Sequence, residues 1–409
     1  RDRVYYDYHI QCAQKRLIFQ QTSLMTINTN DSDIIVKSPG RINLIGEHID
    51  YNGGHVLPAA IDRKVTMWFK KRDNSLCRVN SEDEGAFTFD INKPLQISDT
   101  HWENYVLGVV DGIVKARPGK LGGFDCVISS ELPIGAGISS SAALECGVAK
   151  GLNSLFDLGL SNLDLIEISR MAEHNFVGTK CGVMDQFAVT MGKRKKLLLL
   201  NCETLHYKLI DAEFTPYKIL LLNSNVSHNL ASSEYNTRRE ECEQALALIQ
   251  KDHPQYDFLA DVPETIIETY KEKLSEKVYQ RALFVSRENA RTLKAAELIQ
   301  SGDIKGFGKL MYQTHEGLSK NYEVSCSELD FLVELSKDLP QVVGSRMMGG
   351  GFGGCTINLV EEDFVNEFMN LASKAYKQKF DINLTSILVA TSNGAVSYTH
   401  LTLPTTVFV

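Results

Sequence analysis

The 409-residue sequence has no paired cysteines and no long apolar run. Its nine cysteines are scattered singly, without a CxxC pair or a Cys/His spacing typical of metal sites, so a reducing cytoplasm is the expected compartment. No apolar stretch approaches the roughly 18 residues that span a bilayer, and the first residues lack the layout of a secretory signal. We therefore expect a cytoplasmic protein without membrane contacts.

A surplus of positive charge is also missing, because the formal net charge is -8. Binding to a phosphate backbone needs clustered Lys and Arg, so a nucleic-acid partner is not expected. The one basic run, Lys193–Lys196, precedes Leu197–Leu200 and is interpreted as a solvated turn before a buried strand. With 43% hydrophobic residues the chain can bury a full core, and its length favours two domains with a cleft between them.

The chain divides into a β-rich first half and a more helical second half. Short β-rich runs alternate with turns from Ile34 to about Thr100, and the second half opens on a strand at Lys218–Leu222. Sequence patterns predict helices at 140–155, 160–175, 232–251, 282–301 and 304–317. We predict an α/β (α+β) protein with domains at 30–212 and 213–395.

Neither end of the chain is expected to belong to the folded unit. Residues 396–409 resemble translated vector or adapter sequence and are expected to form a non-native tail. The first 30 or so residues show no clear pattern, and Met25 is a candidate start of the natural chain.

The segment Gly40–Asn52 combines one arginine and two carboxylates near a strand edge and a tight turn. Small polyhydroxylated ligands are held by such groups, so a sugar is the first candidate ligand. Tyr51–Gly54 is predicted to be a turn between two short apolar strands. The alternative is a β-hairpin with solvated charges.

Glycines, hydroxyl groups and a helix start coincide at Gly135–Ala143, which we call the first glycine loop. Backbone N–H groups and the helix dipole there converge on an anion, which predicts phosphate binding. A serine at the helix start can cap the helix and bind Mg²⁺. No lysine follows the loop, so a Walker A ATPase is excluded. The alternative is a serine-capped helix after a Gly-Pro turn.

A second glycine loop, Gly349–Gly354, formally satisfies GxGxxG. A β-run follows it, whereas a dinucleotide-binding fingerprint opens a helix, so this interpretation is rejected. We expect the loop to pack backbone to backbone against the first glycine loop or to line the cleft.

Two carboxylates lie twelve positions apart, Glu173 near a predicted helix end and Asp185 in a Gly-containing turn. Phosphoryl transfer needs a metal, a group that orients or deprotonates the acceptor hydroxyl, and a cation against the developing charge. Glu173 with Ser141 could hold Mg²⁺, Asp185 could take the proton, and Arg41 could keep Asp185 ionised and stabilise the transition state. The alternatives are a turn-capping carboxylate at Asp185 and a solvated helix face at Glu173.

From about Ile34 to Gly394 the sequence resembles the galactokinase branch of the GHMP small-molecule kinases. The matching segments, in the family's order, are Gly40–Gly54, Pro133–Ala142, Cys181–Gln186, Ser224–Val226 with Ser233–Arg239, Tyr322–Asp330 and Gly349–Gly354. The resemblance implies a two-domain GHMP kinase fold. Its N-terminal domain is like domain 2 of ribosomal protein S5, its C-terminal domain is ferredoxin-like, and the site lies between them.

The resemblance also implies roles for single residues. Asp185 is similar to the family's catalytic base and Arg41 to its transition-state stabiliser. The galactose-contacting positions correspond to Glu47, His48, Asp50, Gly182 and Tyr235. The ATP-phosphate loop corresponds to Gly135, Ala136, Gly137, Ile138, Ser139, Ser140 and Ser141, and the Mg²⁺ ligands to Ser141 and Glu173.

The implied reaction moves the γ-phosphoryl group of MgATP to the anomeric hydroxyl of D-galactose, giving α-D-galactose 1-phosphate and ADP. We expect the protein to be a monomer. An N-acetylgalactosamine kinase or arabinokinase is the alternative among kinases, although Cys181–Gly182 is more similar to the galactose branch. A non-catalytic galactose/ATP sensor is the alternative of another class. The complete Ser139–Ala143 tract, with Arg41 and Asp185 both present, favours the enzyme.

Overall fold

In the computed structural model, the described residues 29–133, 135–227 and 231–399 form three β-sheets with helices packed on them. The strands are β1 (Ile34–Asn43), β2 (His55–Val56), β3 (Pro58–Lys71), β4 (Leu76–Ser81), β5 (Gly85–Asp90), β6 (Phe124–Ser130), β7 (Lys196–Asn201), β8 (Tyr207–Asp211), β9 (Tyr217–Ser227), β10 (Val342–Met348), β11 (Gly353–Glu361), β12 (Thr385–Val389) and β13 (Val396–Thr399). The helices are α1 (His101–Ala116), α2 (Ser140–Leu155), α3 (Asn162–Ala172), α4 (Met184–Met191), α5 (Ala231–Ile249), α6 (Glu264–Glu268), α7 (Glu276–Gln300), α8 (Ile304–Lys320), α9 (Ser327–Lys337) and α10 (Val365–Phe380). A π-helical turn, Glu173–Val177, continues α3, and short 3₁₀ turns lie at Thr29–Asp31, Asp50–Asn52, Leu259–Asp261 and Glu362–Phe364.

The largest sheet has the strand order β13-β1-β3-β6-β4-β5, with β4 and β6 parallel and the other pairs antiparallel. Helix α2 packs on β1 and β3, and its Gly147 and Gly151 lie against Met67 and Phe69. The predicted helix at 140–155 is confirmed with both of its bounds. The start of α2 is thereby fixed beside the strand that carries Arg41.

The second half is built on an antiparallel sheet of order β10-β11-β9-β12. Strand β9 alternates between two cores, as a period of two requires. Leu220 and Leu222 pack with residues of α9 and α10, whereas Ile219 and Leu221 join the core that they share with the first half. The helices predicted in this half are confirmed as α5, α7 and α8; the ends of α5 and α7 are shifted, whereas α8 begins at the predicted residue and ends three residues later.

The third sheet, β2-β7-β8, confirms the hairpin predicted from Leu197–Leu200 and Tyr207–Ile210. Helix α1 was missed by the sequence analysis. Its buried Val106, Val109, Val110 and Ile113 have the three- and four-residue spacing of one helix face, so the signal was present. No helix among the described residues is long and apolar enough to cross a membrane.

The exclusion of everything after residue 395 from the fold is wrong for four residues. Val396–Thr399 form β13, which pairs antiparallel with Ile34–Lys37 of β1. The physical reason is that the outer edge of β1 offers unpaired backbone groups that any extended segment can satisfy. The remaining tail, 400–409, and the first 28 residues with Met25 lie outside the described residues.

Candidate active site

Arg41 and Asp185 form a two-pronged ion pair between the largest sheet and helix α4. Arg41 Nε donates to Asp185 Oδ1 at 2.7 Å and Nη2 donates to Oδ2 at 2.8 Å. Asp185 was expected in a turn, but it lies in the first turn of α4, because the helix begins one residue before it at Met184. Such a paired geometry fixes both planes and is stronger than a neutral hydrogen bond.

The first glycine loop reaches the same ion pair. The Ser139 hydroxyl donates to Asp185 Oδ2, and Arg41 Nη1 donates to the Gly137 carbonyl at 2.5 Å. Ser139 has a φ of 58°, an uncommon left-handed conformation for a residue other than glycine, and its side chain makes no cap hydrogen bond. The expected capping serine is therefore wrong for Ser139, whose hydroxyl serves Asp185 instead.

The ion pair leaves specific atoms for a ligand. Among the described residues, Asp185 Oδ1 accepts one hydrogen bond and Oδ2 accepts two, so one lone pair of Oδ1 remains. With the same residues Arg41 uses three of the five N–H bonds of a guanidinium, which leaves two. The Asp185 side chain is 27% exposed and that of Arg41 is 5% exposed, so a ligand can reach the carboxylate first. Burial by itself lowers the pKa of Arg41, but the carboxylates of Asp185 and Glu47 outweigh it and raise this pKa.

The second glycine loop is the turn between β10 and β11, and it touches the first glycine loop through backbone. A Cβ atom at Gly349 would lie 3.1 Å from the Gly137 carbonyl oxygen, and one at Gly137 would lie 3.1 Å from the Met348 oxygen. This confirms the expectation that the two loops pack backbone to backbone. Only glycine allows both the approach and the positive φ values of 86° and 70° found there.

Glu47 is anchored by a buried arginine that the sequence analysis did not single out. Arg346 of β10 donates from Nη1 and Nη2 to Glu47 Oε1, each at 3.1 Å, and the Gly349 N–H donates to the same oxygen at 2.9 Å. Arg346 also donates to the carbonyls of Leu44 and Asn43. All three bonds to Glu47 that the described residues make reach Oε1, so Oε2 is the oxygen that can serve a ligand.

Asp50 lies beside Gly182 and close to the ion pair. A side chain at Gly182 would overlap the Asp50 carboxylate, which explains the glycine in the Cys-Gly-x-Met-Asp-Gln turn. Burial and, to a smaller extent, the negative charge of Asp185 raise the pKa of Asp50 to about 7. Two carboxylates thus face one region, where a neutral or hydrogen-bond-donating ligand is favoured.

The raised pKa of Asp50 predicts that Asp50→Asn changes the stability of the protein in a pH-dependent way. The carboxyl has an ordinary pKa of 3.8 and a folded-state pKa of about 7, so its contribution to stability is complete below pH 4 and is lost as pH rises through 7. An asparagine cannot ionise, so without ligand we expect the variant to be more stable than wild type at pH 8 by up to about 4 kcal/mol, at about 1.4 kcal/mol per pKa unit. The difference should vanish near pH 4. Urea unfolding at both pH values measures it, with exposed Asp211→Asn as the control; equal stability at pH 8 would contradict the assignment.

His48, Tyr51, Tyr235 and Tyr322 form an aromatic cluster at the edge of the site. The His48 ring centroid lies 5.8, 5.2 and 5.0 Å from those of Tyr51, Tyr235 and Tyr322, respectively. Tyr235 comes from α5 in the second half, whereas His48 and Tyr51 follow β1. The cluster therefore joins the two halves of the chain where the predicted sugar-contacting residues meet.

Both ring nitrogens of His48 are used by protein groups. Nε2 lies 3.2 Å from the Gly350 carbonyl oxygen, which can only accept, so Nε2 carries the hydrogen. Burial lowers the pKa of His48 to about 3, so the ring is neutral and Nδ1 accepts from the Tyr51 hydroxyl at 2.8 Å. The Tyr51 oxygen then accepts from the Tyr322 hydroxyl at 2.8 Å. The imidazole thus holds the second glycine loop in place.

Glu173 and Ser141 lie together behind the first glycine loop. The pKa of Glu173 is raised to about 7, chiefly by burial; a hydrogen bond from the Ser141 side chain lowers this pKa, and the negative charge of Asp185 raises it. Glu173 is buried, so the alternative of a solvated helix face is wrong. No group of three or more His, Cys, Asp or Glu that could hold a metal exists among the described residues. Mg²⁺ usually takes only one or two protein oxygens besides phosphates and water, which a hydroxyl and a carboxylate can supply.

The predicted site residues therefore meet at one place, although they come from five segments of the chain. The residues that sequence reasoning missed are the ones behind the site, chiefly Arg346, Tyr51 and Gln186. Gln186 donates to the fully buried Glu145 at 3.2 Å, and Asp185 precedes it on α4. An arginine inside the otherwise apolar and small run of β10 was the available signal for Arg346.

The sequence matches three family descriptions. Residues 26–71 match the galactokinase galactose-binding signature, residues 104–193 the GHMP kinases N terminal domain, and residues 295–377 the GHMP kinases C terminal domain. The galactokinase of Clostridium acetobutylicum is 39% identical over 362 residues, which cover 88% of this chain and 93% of that protein. The galactokinase of Thermosipho africanus is 39% identical over 359 residues, which cover 88% of this chain and 98% of that protein.

The fold is also similar to a solved structure. The crystal structure of Lactococcus lactis galactokinase complexed with galactose superposes with a TM-score of 0.85 at 33% identity. The match covers 90% of this chain and 95% of that one.

Proposed function

Because the chain belongs to the galactokinase family of the GHMP kinases, we propose that the site around Arg41 and Asp185 phosphorylates the C1 hydroxyl of D-galactose. The predicted two-domain GHMP kinase fold and the predicted ATP-dependent sugar kinase activity are confirmed by this membership. We also propose a role for each site residue. The observation that supports them best is the contact of the Arg41–Asp185 pair with the first glycine loop.

Asp185 acts as the general base. Its free lone pair on Oδ1 accepts the proton of the sugar C1 hydroxyl while the sugar oxygen bonds to the γ-phosphorus and the bond to the ADP oxygen breaks. Arg41 keeps the carboxylate in one orientation, and its two remaining N–H bonds stabilise the negative charge that develops on the transferred group. The backbone N–H groups of Gly135–Ser141 hold the phosphates of ATP at the start of α2.

The sugar lies against the residues that follow β1. Oε2 of Glu47 and the carboxylate of Asp50 accept hydrogen bonds from sugar hydroxyls, Gly182 leaves room for Asp50, and Tyr235 closes one side. His48 differs from the other predicted contacts because its ring nitrogens are already bonded. We assign it to holding Gly350 and the aromatic cluster rather than to direct hydrogen bonding with the sugar.

Ser141 and Glu173 are the residues that would hold Mg²⁺. The buried, hydrogen-bonded carboxylate with a raised pKa fits a nearby dication, whose charge would offset the cost of ionising it. When bound, Mg²⁺ supplies positive charge to the β- and γ-phosphoryl oxygens of ATP.

Removing the Glu173 carboxylate should change how the activity depends on the Mg²⁺ concentration. We expect Glu173→Gln to raise the Mg²⁺ concentration for half-maximal activity by at least roughly tenfold, because an amide is a much weaker ligand. A Mg²⁺ titration of ADP formation at fixed ATP measures this. Glu167→Gln on α3, whose glutamate side chain is 55% exposed, is the matched control. An unchanged titration in Glu173→Gln would remove Glu173 from the metal site.

We also propose a cytoplasmic location, a monomeric state and a domain boundary near 212/213. The described cysteines are free thiols, which supports a reducing compartment. The boundary lies in the segment between β8 and β9, where the chain leaves one sheet and enters another.

One assay tests the function and its alternatives. Wild-type protein is offered galactose, N-acetylgalactosamine, arabinose and glucose at equal concentrations with MgATP, and ADP release is measured. We expect the highest kcat/KM with galactose. A higher value with N-acetylgalactosamine or arabinose would assign the chain to those kinases, and absence of ADP with every sugar would favour the sensor.

A further inference from the structure

One helix of the second half holds both ends of the segment Gly46–His55, which we name the signature turn. The Gly46 N–H donates to Glu288 Oε1 at 3.0 Å, and the His55 N–H donates to Asn289 Oδ1 at 2.9 Å. Glu288 and Asn289 are consecutive residues of α7, yet 242 and 234 positions from their partners. The backbone of the signature turn is therefore fixed from outside its own domain.

Glu288 is a fully buried carboxylate whose two oxygens both have hydrogen-bond donors. The Thr314 hydroxyl of α8 lies 3.0 Å from Oε1 and 2.9 Å from Oε2, and Arg291 forms an ion pair with Oε2. Burial of a carboxylate is costly unless hydrogen bonds and a counter-charge compensate it. The compensated Glu288 carboxylate accepts from the backbone N–H of Gly46 in the signature turn. Removing this carboxylate would leave the Gly46 N–H without its partner.

Asn289 makes a second link in the same way. Its Oδ1 accepts from His55, and its Nδ2 donates to the Ala260 carbonyl at 3.0 Å. The amide side chain therefore bridges the end of the signature turn and the 3₁₀ turn Leu259–Asp261. Because both groups of the amide are used, the position of His55 depends on the packing of α7.

We propose that Glu288 and Asn289, the α7 clamp, are positioning residues that set the affinity for the sugar. The segment between the two clamped amides carries Glu47, His48 and Asp50, so its shape decides where the predicted sugar contacts lie. Holding a binding segment in its bound shape lowers the ordering cost of binding. This inference rests on the proposed function, because it takes the signature turn to be the sugar-binding segment.

The test separates sugar binding from nucleotide binding. We expect Glu288→Ala to raise KM for galactose by roughly tenfold or more, the effect of losing a hydrogen bond to a charged group, with KM for ATP changed less than about twofold. Glu288→Gln should recover most of the loss, since its amide oxygen can still accept from Gly46. Asn289→Ala, which keeps the buried charge, should raise KM for galactose in the same direction. Glu297→Ala on α7, whose glutamate is 67% exposed, is the control.

A second readout does not depend on turnover. Amide hydrogen exchange of peptides that cover 44–57 should be faster in Glu288→Ala and Asn289→Ala than in wild type and Glu297→Ala. The inference is overturned if KM for galactose and exchange are unchanged in both clamp variants, or if KM for galactose and ATP rise together.

If wild type makes no ADP with galactose, the proposed function fails. The exchange result then still decides whether the clamp holds the signature turn. Should Glu288→Ala not fold, Asn289→Ala and Glu288→Gln carry the test.

Discussion

Asp185→Asn should lower kcat by at least about 10²–10⁴-fold, the usual effect of losing a general base, while the protein stays folded. Asparagine has the same size and keeps one carbonyl oxygen for Arg41 Nε. Its amide group cannot take a proton from the sugar hydroxyl, and it faces the donors Arg41 Nη2 and Ser139 instead of accepting from them. The variant therefore lacks the group that removes the proton from the sugar hydroxyl.

ADP formation at saturating galactose and MgATP measures kcat, and circular dichroism with urea unfolding checks the fold. Asp211→Asn is the matched control, because Asp211 is 79% exposed and lies on β8 away from the site. If Asp185→Asn had the kcat of wild type, the proton acceptor would be another group and the role of the Arg41–Asp185 pair would have to be reassigned.

Arg346→Met should reduce the free energy of unfolding by about 3–5 kcal/mol, as expected when one partner of a buried ion pair is removed. The arginine and Glu47 are 0% and 2% exposed, so the remaining carboxylate would stay in the interior with only the Gly349 N–H as a described donor to Oε1. The carbonyls of Asn43 and Leu44 would lose their donors as well.

Urea unfolding followed by two spectroscopic probes measures the loss. Arg287→Met is the control, since the Arg287–Glu264 pair is 46% and 39% exposed, and surface pairs contribute only about 0–1 kcal/mol. A loss in Arg346→Met no larger than that of Arg287→Met would show that Arg346 is not the anchor of Glu47. Ligand affinity should fall in the same variant, because the free oxygen of Glu47 would no longer be held in one position.

The parts of the site that sequence could predict are those encoded by local motifs. The start of α2 follows from adjacent glycines and serines, and its bounds were predicted correctly because the apolar spacing continues to Leu155. Asp185 was placed in a turn because Gly182 precedes it closely, yet helical geometry begins at Met184 and the glycine serves the packing of Asp50 instead.

The parts that could not be predicted depend on contacts between distant segments. Arg346 and Glu47 are 299 positions apart, and no pattern near either residue specifies the other. A glutamate in the middle of α7 is most often a solvated helix residue, so Glu288 gave no sign of its contact with Gly46. Sequence periodicity reports which face of an element is buried, but not which polar group the fold brings against it.

The strand that carries Arg41 is closed to other chains along its outer side. β13 covers its first residues, Ile34–Lys37, and the Arg41 N–H is bound by the Ile138 carbonyl of the first glycine loop. An open edge strand is a template for intermolecular pairing and aggregation. The loop predicted to bind nucleotide thus also protects this strand, since its Ile138 carbonyl accepts from the Arg41 N–H. That N–H would otherwise be available for pairing with a strand of another molecule.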